Sequence, residues 1–160
     1  MQKNKAQAYQ KILDNPQISE KDKTNVKQKL ENHTKERALY KSNVIKAFNE
    51  NYTFSKLAFI ENQHFKSFLE GSTNEVILAD STISDLPSDG NFLLLAKGNH
   101  DGQWIVIDDN FKRVASPFPS SFGLGIKKLW DIFLGKKNID LENQVKLAEK
   151  VNKAFNKAYN

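Results

Sequence analysis

The sequence predicts an α+β fold with N-terminal helices, a central four-stranded antiparallel β-meander and C-terminal helices packed on one face of the sheet. Hydrophobic residues recur at helical spacing near both ends of the chain and at strand spacing in the middle. The charge changes at the same boundaries: residues 1–72 carry 13 Lys/Arg and 8 Asp/Glu, residues 73–117 carry 3 and 7, and residues 118–160 carry 8 and 4. We expect one domain of 160 residues with two surfaces of opposite charge, each able to bind its own partner.

Two helices are predicted in the first third of the chain. The first covers residues 2–14 and ends at Asn15-Pro16, because the residue before a proline is disfavoured in the helical conformation. The second begins at Ser19, where a hydroxyl three residues before Asp22 forms the pattern of a capping box, and it runs to about Phe48.

The apolar seam of the second helix contains two polar residues in its middle. The seam positions alternate in steps of four and three residues, which is coiled-coil spacing, but His33 and Arg37 interrupt the apolar pattern. The middle of this helix is therefore predicted to be solvated or docked on a partner. A third helix is predicted to begin at Thr53 or Ser55 and to end at Gly71.

Four strands are predicted in the centre, and turn-forming residues join the last three as hairpins. The strands are Glu75–Ala79, Phe92–Lys97, Gln103–Asp108 and Phe111–Ala115. Residues 116–125 contain two prolines, two glycines and three serines, a composition that excludes regular structure. Two helices follow, one over residues 126–134 and one that begins at Asp140.

The composition excludes several classes of protein. The chain has no cysteine, so it has no disulfide, no thiolate zinc site and no cysteine nucleophile. Its start is polar, which predicts that there is no signal peptide, and no apolar run approaches the roughly 20 residues of a membrane span. We expect a cytoplasmic protein of a bacterial host, with no cofactor, no metal site and no catalytic residue.

The turn Gly98-Asn99-His100-Asp101 follows an apolar strand and resembles the Asn-His-Asp box of calcineurin-like metallophosphoesterases. In that family the asparagine ligates a metal ion and the histidine contacts the scissile phosphate, and the resemblance implies these roles here. The family's further ligands have no counterpart, because His33 and His64 lie on predicted helices. A hairpin turn is the alternative, since these residue types favour turns.

Asp108-Asp109 with Lys112 is similar to the grouping of acids and lysine in metal-dependent nucleases. Those sites place an acid and the lysine on one strand with a single residue between them, so a turn is again the alternative. One functional hypothesis is therefore a small metal-dependent phosphodiesterase or nuclease centred on His100, Asp101 and Asp108.

A second hypothesis is a nucleic-acid-binding accessory protein whose basic helices follow phosphates. Its candidate contacts are Lys27, Lys35, Arg37, Lys41, Lys127 and Lys128. The aromatic residues lie mostly on inward stripes, so neither base stacking nor sequence-specific recognition is expected.

The third hypothesis is a non-enzymatic protein-binding module or inhibitor, and we favour it. Its candidate contacts are the acidic turns and the loop aromatics, namely Asp85, Asp89, His100, Asp101, Asp108, Asp109, Phe118 and Phe122. The two phenylalanines are either anchors for a partner or residues of the core.

In size and composition the chain is similar to small accessory proteins of phages and mobile elements, because it is short, free of cysteine and rich in Lys and Asn. Anti-CRISPR proteins, type II-A inhibitors among them, share these properties. The resemblance implies a protein partner such as a Cas nuclease or its guide-RNA complex, with non-specific nucleic-acid contact and no membrane partner. The acidic turns would then occupy a cationic nuclease surface that normally receives phosphates.

Overall fold

The computed structural model describes residues 3–61, 64–70, 76–78, 93–97, 103–108, 110, 112–123 and 139–159. These residues form α1 (Lys3–Leu13), α2 (Glu20–Asn51), β1 (Ala58–Ile60), α3 (Phe65–Leu69), β2 (Val76–Leu78), β3 (Leu94–Lys97), β4 (Gln103–Ile107), β5 (Phe122–Gly123) and α4 (Ile139–Tyr159). The predicted α+β class is confirmed, since helices occur with small antiparallel sheets. Within the described part of the chain, no helix has both the length and the apolar composition needed to cross a membrane.

The chain divides into two compact units at a position inside α2. The N-terminal unit is Met1–Asn43, and the C-terminal unit is Val44–Asn160. The division falls within a continuous helix of 32 residues. It does not coincide with either of the charge boundaries that follow residues 72 and 117 in the sequence.

Side-chain hydrogen bonds build the start of α2 and confirm Ser19 as its N-cap, while Asp22 accepts from the Ser19 hydroxyl where a capping box would have it accept from the Ser19 backbone N–H. Ser19 Oγ accepts the backbone N–H of Asp22 at 3.2 Å, and the Ser19 hydroxyl donates to Asp22 Oδ2 at 2.6 Å. The first four N–H groups of a helix have no acceptor within the helix, so Ser19 satisfies one of them and fixes the first turn. Before this turn, Asn15 Oδ1 accepts the N–H of Gln17 at 2.9 Å.

The predicted four-stranded meander is wrong in its topology. The described strands form two antiparallel sheets, one of β1 and β2 and one in the order β3-β4-β5. The hairpin of β3 and β4 is confirmed. The predicted strand 111–115 is reduced, in its described part, to a bridge between Ile107 and Arg113, and β4 pairs instead with β5 through Trp104 and Phe122. Prolines at 117 and 119 lack the N–H of a ladder, which explains why the chain pairs again only after them.

The predicted third helix is replaced by a strand and a short helix. Ala58–Ile60 pairs with Val76–Leu78, with Phe59 opposite Ile77, and among the described residues of the predicted range only Phe65–Leu69 is helical. A short apolar run fits a helix or a strand equally well. Pairing with β2, which is distant in sequence, therefore decides the conformation of β1.

The hydrophobic core of the C-terminal unit is rich in aromatic rings. Its buried residues are Phe48, Tyr52, Val106, Phe118, Phe122, Leu147, Ala148, Val151 and Phe155. The ring centroid of Phe155 lies 4.5 Å from that of Phe118 and 5.9 Å from that of Tyr52. Asn152 Oδ1 accepts the N–H of Thr53 at 3.1 Å. This bond joins α4 to the chain that leaves α2 and holds the two helices around the shared rings.

Candidate functional site

The N-terminal unit carries all of the excess positive charge. Residues 1–43 contain ten Lys/Arg and five Asp/Glu, whereas residues 44–160 contain fourteen of each. The net charge of +5 therefore belongs to the N-terminal unit, and the C-terminal unit is neutral overall. A field of one sign concentrated on one unit attracts anionic partners and raises their rate of association.

The N-terminal unit has little apolar burial to stabilise it. None of residues 5–43 is buried, and the half-buried residues of α2 begin with Lys23 and continue through Val26 and Leu30 to His33. The Nε2 atom of His33 is buried and has no hydrogen-bond partner in the described part of the chain. This unit therefore consists of two helices with one partly covered seam and no core of its own.

The covered seam of α2 is followed by a segment that is exposed on every side. Each of the six residues from Thr34 to Leu39 is exposed, and we call this range the bare segment. Leu39 has 61% of its surface exposed. Six residues exceed one and a half helical turns, so no face of α2 is covered there. Most residues of this segment are strong helix formers, which explains how the helix persists without packing.

Arg37 is the residue of the bare segment that is best placed to bind a partner, because its guanidinium is exposed and unengaged within the described structure. It occupies the seam line of α2 and is exposed, and it has no hydrogen bond or ion pair within the described structure. The neighbouring Lys35 is engaged, because its Nζ lies 2.6 Å from Glu31 Oε1. That hydrogen bond and the positive charge of Lys35 lower the pKa of the Glu31 carboxyl.

The four described candidates for nucleic-acid contact do not share one face of α2. Lys27, Lys35, Arg37 and Lys41 are all exposed. At about 100° per residue, Arg37, Lys41 and Lys27 fall within a sector of about 80°, and Lys35 lies about 80° beyond Lys27. Lys127 and Lys128 lie outside the described residues. The four residues thus spread over about 160° of the helix circumference instead of forming one narrow track along it.

Asp108 is the one acidic candidate among the described residues, and its carboxylate accepts hydrogen bonds within a turn. Its Oδ1 accepts the N–H of Asn110 at 3.0 Å and that of Lys112 at 2.8 Å, and its own N–H donates to the Lys112 carbonyl at 2.9 Å. This geometry agrees with the interpretation of Asp108-Asp109 and Lys112 as a turn, which was the alternative to a nuclease site. The candidates Asp85, Asp89, His100, Asp101 and Asp109 lie outside the described residues. Among the residues that are described, no group of three His, Cys, Asp or Glu side chains has the arrangement of a metal site.

Phe118 and Phe122 belong to the core. Each is 4% exposed, and both pack in the aromatic cluster of the C-terminal unit. Neither ring is exposed, so the structure does not support the prediction that they anchor a partner. It agrees with the alternative, that both rings belong to the core. Phe118 lies in the proline-rich segment and Phe122 lies in β5, so the prediction that residues 116–125 contain no regular structure is wrong at its strand. Burial is the expected result for large apolar rings beside a sheet.

The bare segment agrees with the prediction that the middle of α2 is solvated or docked on a partner, although His33, which was part of that prediction, is half-buried. Its signal was present in the seam, where Arg37 breaks the apolar pattern, but the exposure of Leu39 has no counterpart in the hydrophobic spacing. Comparisons with protein-family models, with curated proteins and with solved structures give no match to this chain. Functional inference therefore rests on the N-terminal unit and its bare segment.

Proposed function

We propose that the protein is a non-enzymatic inhibitor that binds a protein target, and that the contact is centred on Arg37 in the bare segment of α2. The observation that carries the proposal is an exposed arginine that has no ion pair among the described residues and lies in the bare segment, the one stretch of α2 with six consecutive exposed residues. Arginine is among the residues that dominate the energy of protein interfaces. Its planar guanidinium forms paired hydrogen bonds with a carboxylate, so an acidic groove on the target fits it.

Pre-organisation supports this choice of surface. α2 is continuous through the bare segment, so binding does not have to order it first. Lost conformational freedom is a large cost of association, and a recognition helix that is already formed reduces that cost. Docking of a helix into a groove is a common mode of peptide recognition and uses residues spaced along one helical face.

A Cas nuclease with its guide RNA is the first target that we propose to test, because the size and composition of the chain are similar to those of type II-A anti-CRISPR proteins. Inhibition by occupancy needs no chemistry on the inhibitor. The Asp108 carboxylate is engaged in its own turn. The other acidic candidates lie outside the described residues, so the proposed contact is placed on Arg37, which the structure describes as exposed.

The test compares Arg37→Ala with Arg113→Ala, which removes the other arginine of the chain, also exposed. Tagged proteins are incubated with nuclease-treated bacterial lysate and, separately, with a purified type II-A Cas nuclease in a DNA-cleavage assay. We expect the wild type and Arg113→Ala to retain the same discrete protein and to inhibit cleavage alike. Arg37→Ala is expected to lose at least tenfold in potency, in the range of an interface hot spot.

Two results would contradict the proposal. Equal potency of the two arginine variants would remove Arg37 from the contact. If every bound protein is released by the nuclease treatment, the primary partner is nucleic acid and not protein.

A further inference from the structure

We infer that α1 attracts an acidic protein target by its electrostatic field and guides it to Arg37, without itself taking part in the contact. This inference rests on the proposed function and deepens it, because it names the charge of the target and the step of binding that α1 controls. The observations that carry it concern α1 and the net charge of the N-terminal unit.

The start of α1 breaks a rule that the two longer helices follow. The N-terminus of a helix carries a partial positive charge, so acidic residues are favourable there and cations are not. α2 has Glu20 and Asp22 in its first turn, and α4 also has two acids there. α1 has no acid in its first turn, and its sequence places Lys3 and Lys5 there instead. This arrangement does not serve the stability of the helix.

The charge of α1 has one sign along its whole length. The helix contains three lysines and no acid. Asp14, one turn beyond Lys11, is the nearest acid along the chain, and its Oδ1 accepts a hydrogen bond from Gln10 at 3.0 Å. Lys5 and Lys11 are exposed, and neither forms an ion pair within the described part of the chain. Their charge is therefore open to solvent.

The rest of the N-terminal unit strengthens the field of α1. The unit carries a net charge of +5, whereas the C-terminal unit is neutral. None of residues 5–43 is buried, so these charges act through solvent on an approaching partner. Attraction at long range follows the net charge of a unit and not the sign of one helix face, so the acids of α2 weaken the field without reversing it.

The residues of α1 suit attraction better than contact. Aromatic residues and arginine dominate the energy of interfaces, but α1 has no arginine, and Tyr9, its one aromatic residue, is half-buried. Charges at the rim of an interface change the rate of association and its dependence on salt, whereas loss of an anchor inside the contact raises the rate of dissociation. α1 therefore controls the association rate, and Arg37 controls the dissociation rate.

The charge of α1 selects an acidic occupant. A second copy of the chain carries the same excess of positive charge and is repelled. The contact proposed at Arg37 is with a carboxylate of a protein, and acidic residues around that carboxylate are attracted by the field of α1. The occupant is therefore a protein whose acidic surface surrounds the groove for Arg37. A nucleic acid is the other anion, and the experiment separates the two.

The experiment measures association and dissociation rates of the full-length protein with a purified type II-A Cas nuclease, without guide RNA. Salt is varied between about 10 mM and about 150 mM, where the screening length falls from about 30 Å to about 8 Å. K5Q/K11Q is expected to slow association at least about threefold at low salt, to have less effect at high salt, and to leave the dissociation rate unchanged. Arg37→Ala is expected to raise the dissociation rate.

The matched control is K153Q/K157Q, which removes the same charge at two exposed positions of α4. It is expected to slow association less than K5Q/K11Q does, because it lies in the neutral unit. Equal slowing by the two double variants overturns the inference, and so does faster dissociation of K5Q/K11Q, since α1 would then be part of the contact. An effect of K5Q/K11Q that appears only when guide RNA is bound also overturns it, because the attracted anion would be RNA.

The inference and the proposed function fail in different ways. Equal dissociation rates of Arg37→Ala and Arg113→Ala would remove the proposed contact and leave the effect of α1 on association standing. If the nuclease does not bind at all, the field is measured on the protein alone, from NMR relaxation of its amides by an anionic and a neutral nitroxide. Accumulation of the anionic probe at α1 at least about twofold above that at α4 supports the inference, and equal accumulation overturns it.

Discussion

Ser19 determines where α2 begins, and its effect can be isolated. Ser19→Ala removes the acceptor for the Asp22 N–H, and loss of such a cap costs about 1 kcal/mol. Because no residue from 5 to 43 is buried, packing offers little compensation. We expect lower helix content and earlier thermal melting by circular dichroism. Ser42→Ala on the same helix is the control, and equal melting of the two variants would contradict a capping role.

Tyr52 makes the stability of the C-terminal unit sensitive to alkaline pH. Burial raises the pKa of its phenol, while the hydrogen bond with Ser55 at 3.0 Å acts in the opposite direction. The unfolded chain ionises near pH 10, so this contribution to stability is complete below that pH and is lost as the pH rises through the higher folded value. In urea titrations the wild type should lose more stability than Tyr52→Phe above about pH 10. Tyr9→Phe serves as the control and should behave as the wild type, and parallel pH curves for wild type and Tyr52→Phe would refute the assignment.

Individual residues also show why the candidate site was only partly predictable. The turn at Asp108 was predictable as one of two alternatives, because the tendency of an aspartate to accept hydrogen bonds from nearby backbone N–H groups depends on only a few neighbouring residues. The role of Phe118 depends on Phe155, far along the chain, whose ring lies 4.5 Å away. Exposure of Leu39 depends on what the rest of the fold leaves uncovered. Neither of these distant relations is visible in local spacing.

Among the elements, the long and periodic ones were predictable and the short ones were not. α2 and α4 were expected from capping and spacing, and the hairpin of β3 and β4 from its turn residues. β1 has three residues and β5 has two. A strand that short is stabilised by its partner, since its own residues supply too little preference to decide between conformations. Strands of this kind are set by tertiary pairing, so the sheet order was missed although the α+β class was right.

The bare segment of α2 is stabilised by its own helix propensity, and this leads to a prediction. Ala38 lies in the segment and is exposed. Ala38→Gly should cost about 1 kcal/mol of helix stability, because glycine has the greater conformational entropy to lose and no contact offsets it. Ala38→Gln, with a good helix former at the same position, should cost only a few tenths. Amide hydrogen exchange along α2 is the measurement, and equal exchange in both variants would show that packing, and not propensity, holds the segment.

At the level of the whole molecule, the two units differ in what stabilises them. The C-terminal unit buries a cluster of nine apolar and aromatic residues, whereas residues 5–43 have no buried member. Burial of apolar surface is the main source of folding stability. The folding stability of the molecule therefore resides mainly in the C-terminal unit, and the excess positive charge resides in the N-terminal unit.

This difference predicts that the N-terminal unit opens at a lower free energy than the C-terminal unit. In hydrogen exchange followed by mass spectrometry, peptides from residues 3–43 should exchange much faster than peptides from α4, whose core face includes Ala148, Val151 and Phe155. The physical reason is that helices with exposed backbone and few apolar contacts open locally, while amides under a shared core exchange only when that core opens. Ser19→Ala should speed exchange in the N-terminal peptides alone, because the cap acts on the first turn of α2, and the only residues of that helix in the core of the C-terminal unit lie near its other end. If both units instead exchange with one common opening free energy, α2 transmits the stability of the core through its whole length, and the N-terminal unit is an integral part of a single cooperative fold.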